Sequence, residues 1–326
     1  MSLKTSVSLP FTGERYVPGK TGAQVSYEHL HRYLFARQFC KGKRVLDLGS
    51  GSGYGTDILA QNATSVVGLE LDQRAIEFAR KNCKSDHISF IQGSVTESPR
   101  DKDKHSFDVV VCFEVLEHIH QHDELITHAV ESLKEDGLLI LSTPNRRIYS
   151  DQQGNQNPFH VSELYKNELI TLMSRYFPNT RLLGQRLSVQ SEIWDEDAGG
   201  HMDFAIAQTD GTFTEDKKTL DYATYYLVLA SQRPIDPAFS SSLTDLSDSL
   251  QSETTERIRA LAGEREKYKH TVQKVLQEHA KLNKILDEHD KKYEATVATL
   301  QQDLARSEGR KQPTSLLKKL KKTIFG

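Results

Sequence analysis

The chain has 326 residues, room for about two domains at roughly 150 residues each, and its 37% apolar content lies below the ~45–50% of an average globular protein, so part of it is expected to be solvated or elongated. A formal charge of −3 argues against a nucleic-acid partner, which a strong basic excess would announce. Cys40, Cys83 and Cys112 are too far apart for a disulfide framework or a Cys-rich zinc module, no apolar run nears the ~20 residues of a membrane span, and MSLKTSVSLP lacks the apolar stretch of a signal peptide. A cytoplasmic protein is the expectation.

Composition changes near residue 235. Before it, RVLDL (44–48), SVVGLE (65–70), ISFI (88–91), FDVVVC (107–112), GLLILS (137–142) and YYLVLAS (225–231) read as strands. Such continuous apolar runs suit strands covered on both faces of a parallel sheet. Helical patterns lie between them at 54–62, 72–82, 121–134 and 161–176, and another opens at Tyr27–Tyr33. Alternating β and α units predict a doubly wound α/β domain over 25–233. After Pro234, a proline- and serine-containing stretch to 252 reads as a linker. Residues 253–308 contain no proline and one glycine, Gly263, and a heptad register places nine apolar or Tyr residues among fourteen a and d positions, including Ile258, Leu261, Val272, Val275, Leu282 and Leu286. That favours a self-associating coiled coil over a solitary charged helix. In 309–326, Leu316, Leu317, Leu320 and Ile324 share a helical face opposite Lys318, Lys321 and Lys322, a basic amphipathic pattern suited to an anionic membrane surface or a docking partner.

RVLDL runs into Gly49-Ser50-Gly51-Ser52-Gly53-Tyr54-Gly55. Glycines permit a sharp turn and let a ligand approach the backbone. The dinucleotide spacing Gly-x-Gly-x-x-Gly/Ala fails in every register, because Tyr54, Thr56 or Ile58 occupies the last position, and no Gly-Lys-Ser/Thr completes a phosphate loop. What remains is Asp-x-Gly-x-Gly-x-Gly from Asp47. Here the chain resembles the class I S-adenosylmethionine-dependent methyltransferases, over about residues 25–232. The resemblance implies a seven-stranded, mostly parallel Rossmann-like sheet. It implies that Asp47, Gly49, Gly51 and Gly53 cradle the amino-acid end of S-adenosylmethionine, that Glu70 accepts from the ribose hydroxyls, and that Glu114 lies near the cofactor. Where the family commonly has Asp for the adenine amino group this chain has Ser94, an uncharged acceptor, and the Val95 N–H is placed to serve adenine N1. Arg32, in the Tyr27–Tyr33 run, is either a planar donor for the cofactor carboxylate or a surface arginine.

Strand FDVVVC leads into Phe113-Glu114-Val115-Leu116-Glu117-His118. Ligands of open α/β sheets bind beyond the carboxyl ends of strands, where strand order reverses. Three roles stay open. His118, with Glu117, acts as base or positioning group. Alternatively Glu114, Glu117 and His118 hold Mg²⁺, as the resemblance of Glu-x-x-Glu-His to ubiquinone-pathway O-methyltransferases implies. Otherwise Glu114 meets the cofactor and the others cap a helix. His160, in Asn157-Pro158-Phe159-His160-Val161-Ser162-Glu163, is a helix cap or a second base. His118, His120 and His122 read as a solvated loop rather than a metal cluster. Residues 188–221, with Trp194, are expected to form a substrate cap, and 1–24 a lid around Gly13–Pro18. The layout with its GERYVP, EHLHRY and NPFHVSEL segments resembles methyltransferases of bacterial surface-polysaccharide clusters. The expectation is therefore O-methylation of a sugar or surface glycan, at the inner face of the membrane. The alternatives are a small-molecule phenol or quinone-precursor methyltransferase, and a coiled-coil scaffold that binds cofactor without turnover.

Overall fold

Strands β1 (Arg44–Leu48), β2 (Ser65–Glu70) and β9 (Tyr225–Ser231) occupy the apolar runs residue for residue. The computed structural model describes residues 16–17, 22–188, 206–209, 212–215, 223–235, 241–243 and 249–308. The expected lid is thus described at Tyr16, Val17 and 22–24 alone, the cap in part, and Trp194 and the basic tail lie outside the described residues.

With β3 (Ile88–Gln92), β4 (Phe107–Phe113), β5 (Leu133–Pro144) and β6 (Asn179–Gln185), these strands form one seven-stranded sheet in the order β3-β2-β1-β4-β5-β9-β6. β9 runs antiparallel to both of its neighbours, and the remaining pairs are parallel. Successive side chains of a strand face opposite ways, and both faces are covered. Val109 and Val111 pack with Tyr33 and Ala36 of α1 (Ala23–Arg37) and Leu59 of α2 (Tyr54–Ala60). Val110 and Cys112 pack with Leu125 and Ile126 of α4 (His122–Ser132) and Leu169 and Leu172 of α5 (Lys166–Ser174). Each such fully buried side chain contributes about 1.5–3 kcal/mol, so the core alone fixes the strand register.

Helix α3 (Gln73–Asn82) begins where the Asp72 carboxylate accepts the Arg74 N–H at 2.9 Å, an N-cap. The helix expected over 161–176 starts at Lys166 instead. The N–H groups of Val161 and Ser162 donate to the Glu117 carbonyl at 2.9 and 3.0 Å, which ties this stretch to the turn after β4, and the helix opens where the Tyr165 N–H donates to Glu168 Oε2 at 2.8 Å. Between β6 and β9, β7 (Ile206–Thr209) and β8 (Thr212–Glu215) pair as a separate two-stranded sheet within the expected cap.

The chain divides into a unit of residues 1–250 and a second of 251–326. Helix α6 (Ser249–Glu308) has 60 residues, about 90 Å at 1.5 Å per residue. It begins inside the stretch expected as linker: no proline or glycine lies between Pro237 and Gly263, so nothing in the backbone stops the helix from extending back to Ser249. Among the described residues no helix is long and apolar enough to cross a membrane.

Candidate active site

β1 and β4 are adjacent and parallel, with Leu48 level with Cys112, while the chain runs outward from β1 through β2 and β3 on the other side. Strand order reverses here, so the turns after β1 and β4 open side by side into one crevice. Gly49, Gly51 and Gly53 take φ of +76°, +54° and +81°, which side chains rarely tolerate. A Cβ on Gly49 would stand 2.5 Å from Val115 Cγ2, so glycine is also what lets the two turns meet.

Glu70 ends β2 and is 8% exposed, with Oε2 accepting the Gly51 N–H at 2.8 Å and Oε1 the Asp72 N–H at 2.9 Å. It therefore ties the glycine turn to the end of β2. Asp47 differs from its expected cofactor role. It is wholly buried, and its oxygens accept the hydroxyls of Thr56 at 2.7 Å and Tyr33 at 3.2 Å. Burial pushes its carboxyl up to about 6. Asp47 supports the turn from within because no part of it reaches the crevice. Ser94 spends its hydroxyl on Thr96, at 2.7 Å to Oγ1 and 3.1 Å to the N–H, within its own turn. Val95 is half-buried against the core.

Arg32 is buried rather than superficial, at 1% exposure. Its Nη1 donates to Gln185 Oε1 at 2.9 Å, its Nη2 lies 3.7 Å from Glu114 Oε2, and its guanidinium sits 4.6 Å over the Tyr225 ring. Among the described residues Nε and Nη2 find no hydrogen-bond partner, although both are buried. Such orphaned donors on a fixed cation suit a carboxylate ligand. With the glycine turn and Glu70, they make the residues present fit S-adenosylmethionine. Glu28 and Tyr225 complete the floor, joined at 3.0 Å. Sequence reasoning passed over both, though Glu28 lies in the same run as Arg32. Tyr16 closes the near side, stacked on His29 with centroids 5.0 Å apart, its carbonyl accepting the Ser52 hydroxyl at 3.3 Å.

After β4, Glu114 takes φ +53°, rare for a residue with a side chain and costly by about 1–2 kcal/mol. The Ser142 hydroxyl donates to its Oε1 at 2.7 Å. Glu117 is fully buried, Oε2 accepting from the Thr143 hydroxyl at 3.1 Å while Oε1 has no hydrogen-bond partner among the described residues. Burial and the neighbouring Glu114 charge raise its carboxyl well above the usual range. Ser142 and Thr143, at the end of β5, thus each hold one of the two glutamates through a hydroxyl.

His118 and His160 meet edge to face, centroids 5.0 Å apart. His118 Nδ1 is 2.9 Å from the Phe159 carbonyl, and His160 Nδ1 is 2.5 Å from Glu163 Oε1. The expected magnesium set is not assembled. Glu117, His118 and His160 bring ligand atoms within 4.8 Å of one another, and Glu114 stands outside that group, held by Ser142 and Arg32. Two imidazole nitrogens among three ligand atoms do not suit Mg²⁺, which takes oxygen ligands. His120 is exposed and His122 half-buried at the start of α4; neither joins His118.

In sheet order, glycine turn and crevice the domain resembles the class I S-adenosylmethionine-dependent methyltransferases. Residues 22–178 match the family described as a methyltransferase domain. A protein of Mycolicibacterium smegmatis described as a probable S-adenosylmethionine-dependent methyltransferase is 33% identical over 169 residues, 51% of this chain and 64% of that one. The mitochondrial ubiquinone biosynthesis O-methyltransferase of Schizosaccharomyces pombe is 35% identical over 121 residues, 35% of this chain and 43% of that one. A solved S-adenosylmethionine-dependent methyltransferase of Thermotoga maritima superposes with a TM-score of 0.46 at 15% identity, over 64% of this chain and 90% of that one. The matched region spans less than two thirds of the two curated relatives' length.

Proposed function

We propose that this chain transfers the methyl group of S-adenosylmethionine to a hydroxyl oxygen of a sugar or surface glycan. When bound, the cofactor supplies an electrophilic methyl on sulfonium sulfur. The chain must then hold the acceptor oxygen in line with that methyl and take its proton. The observation that carries the proposal is the His118–His160 pair, 5.0 Å apart beside the crevice, each ring fixed through Nδ1. Neutral imidazole suits proton removal near neutrality. The glycan class rests on the sequence layout: a methyltransferase domain joined to a long helix and a basic amphipathic tail, suited to acceptors carried at an anionic membrane face.

A phenolic or quinone-precursor acceptor is the second reading, favoured by the similarity to the Schizosaccharomyces pombe enzyme. Transfer of labelled methyl to a panel of glycans and phenols separates the two. Methylated glycan supports the first reading, label confined to phenols supports the second, and cofactor binding with no transfer to any acceptor supports the scaffold.

A further inference from the structure

We infer that Glu163, itself held by Ser150, is the positioning residue that makes His160 rather than His118 the proton acceptor; the inference rests on the O-methyl transfer proposed above. Both oxygens of Glu163 are engaged, Oε1 by His160 Nδ1 at 2.5 Å and Oε2 by the Ser150 hydroxyl at 2.5 Å. The pair is 8% and 9% exposed. A carboxylate gripped at both oxygens and shielded from water does not swing away, unlike a surface ion pair.

The holding residues come from one irregular turn. Arg147–Gln152, after β5, is π-helical, a geometry concentrated at functional sites. From it, Tyr149 stacks on the His160 ring at 5.3 Å and 27°, Ser150 holds Glu163, and Asp151 accepts the Tyr165 hydroxyl at 3.1 Å. The loop bearing His160 is pinned from its other side by the Val161 and Ser162 N–H groups on the Glu117 carbonyl. The ring is therefore fixed in plane and position.

The two histidines differ in what faces Nδ1. His118 has a backbone carbonyl, a dipole; His160 has a full carboxylate. An Nδ1–H given to Glu163 leaves Nε2 as the lone-pair nitrogen of the neutral ring. In the step, the acceptor O–H proton passes to His160 Nε2 and the oxygen bonds to the methyl carbon. The carbon–sulfur bond breaks with its electron pair staying on sulfur, so the sulfonium charge is lost and an imidazolium charge appears beside Glu163. The proton then leaves to solvent.

Imidazole nitrogen NMR of the full-length protein without acceptor, paired with methyl transfer to the glycan and phenol panel, tests this. Wild type should show His160 as the Nδ1–H tautomer. Glu163→Gln should mix the tautomers and lower kcat about 10²-fold with KM little changed. Ser150→Ala should move both readouts the same way, less far, and serves if Glu163→Gln melts early. A wild-type Nε2–H tautomer, or variants matching wild type in tautomer and kcat, would overturn the inference. The expected tautomer in a protein that methylates no hydroxyl acceptor would instead overturn the O-methyl proposal, and the base assignment with it.

Discussion

Arg32 of α1 and Glu114 at the end of β4 face each other across 3.7 Å on the crevice floor, one wholly buried and the other backbone-strained. A buried cation left without its partner costs more than the pair contributes. Glu114→Gln should therefore destabilise the domain toward the low end of ~3–5 kcal/mol, since Glu28 also faces Arg32. Adding Arg32→Met should recover part of that loss. Urea unfolding of the single and double variants measures it, and additive losses would contradict the pairing.

Asp47 gives a pH signature. Burial raises its carboxyl from an ordinary 3.8 to about 6, so the native state holds this proton more tightly than the unfolded chain. Its contribution to stability is full below the unfolded value and is lost as pH rises through the folded one. The difference is on the order of 3 kcal/mol. Asp47→Asn should flatten the fall in unfolding free energy over that window relative to wild type. Parallel slopes in the two proteins would rule the effect out.

On α6, Ile258, Leu261, Val272, Val275, Leu282 and Leu286 are 56–62% exposed and follow the a and d positions of the heptad. One helix cannot bury such a stripe, so we propose that two or three chains associate through it. Deleting residues 253–326 should yield a monomer that still binds S-adenosylhomocysteine and no longer sediments with anionic vesicles. Sedimentation mass and vesicle pelleting decide it. A monomeric full-length protein at micromolar concentration counts against association, and indifference to vesicles at low salt counts against the tail.

Most of the sheet was legible because its strands are continuous apolar runs, as in β1, β2 and β9. β6 was not assigned, since as an edge strand of sequence NTRLLGQ it has no fully buried residue and carries no such run. The glycine turn and Glu70 could be placed from spacing, being neighbours of strand ends. The floor could not: Tyr225 meets Glu28 across 197 positions, and Gln185 meets Arg32 across 153. The shortened α5 escaped notice for a related reason. Its apolar spacing is helical, but Val161 and Ser162 are tied to the Glu117 carbonyl, a tertiary contact that local pattern does not carry.

Calorimetric titration of S-adenosylhomocysteine into the full-length protein tests the central claim most directly. Wild type should bind, and Gly51→Val should abolish binding by placing a branched side chain in the cradle at a φ of +54°. Glu70→Ala should cost about 1.5–3 kcal/mol of binding, and His160→Ala nothing measurable. A wild-type protein that takes up no heat, or a Gly51→Val protein that binds as wild type does, would contradict the assignment of this crevice to S-adenosylmethionine.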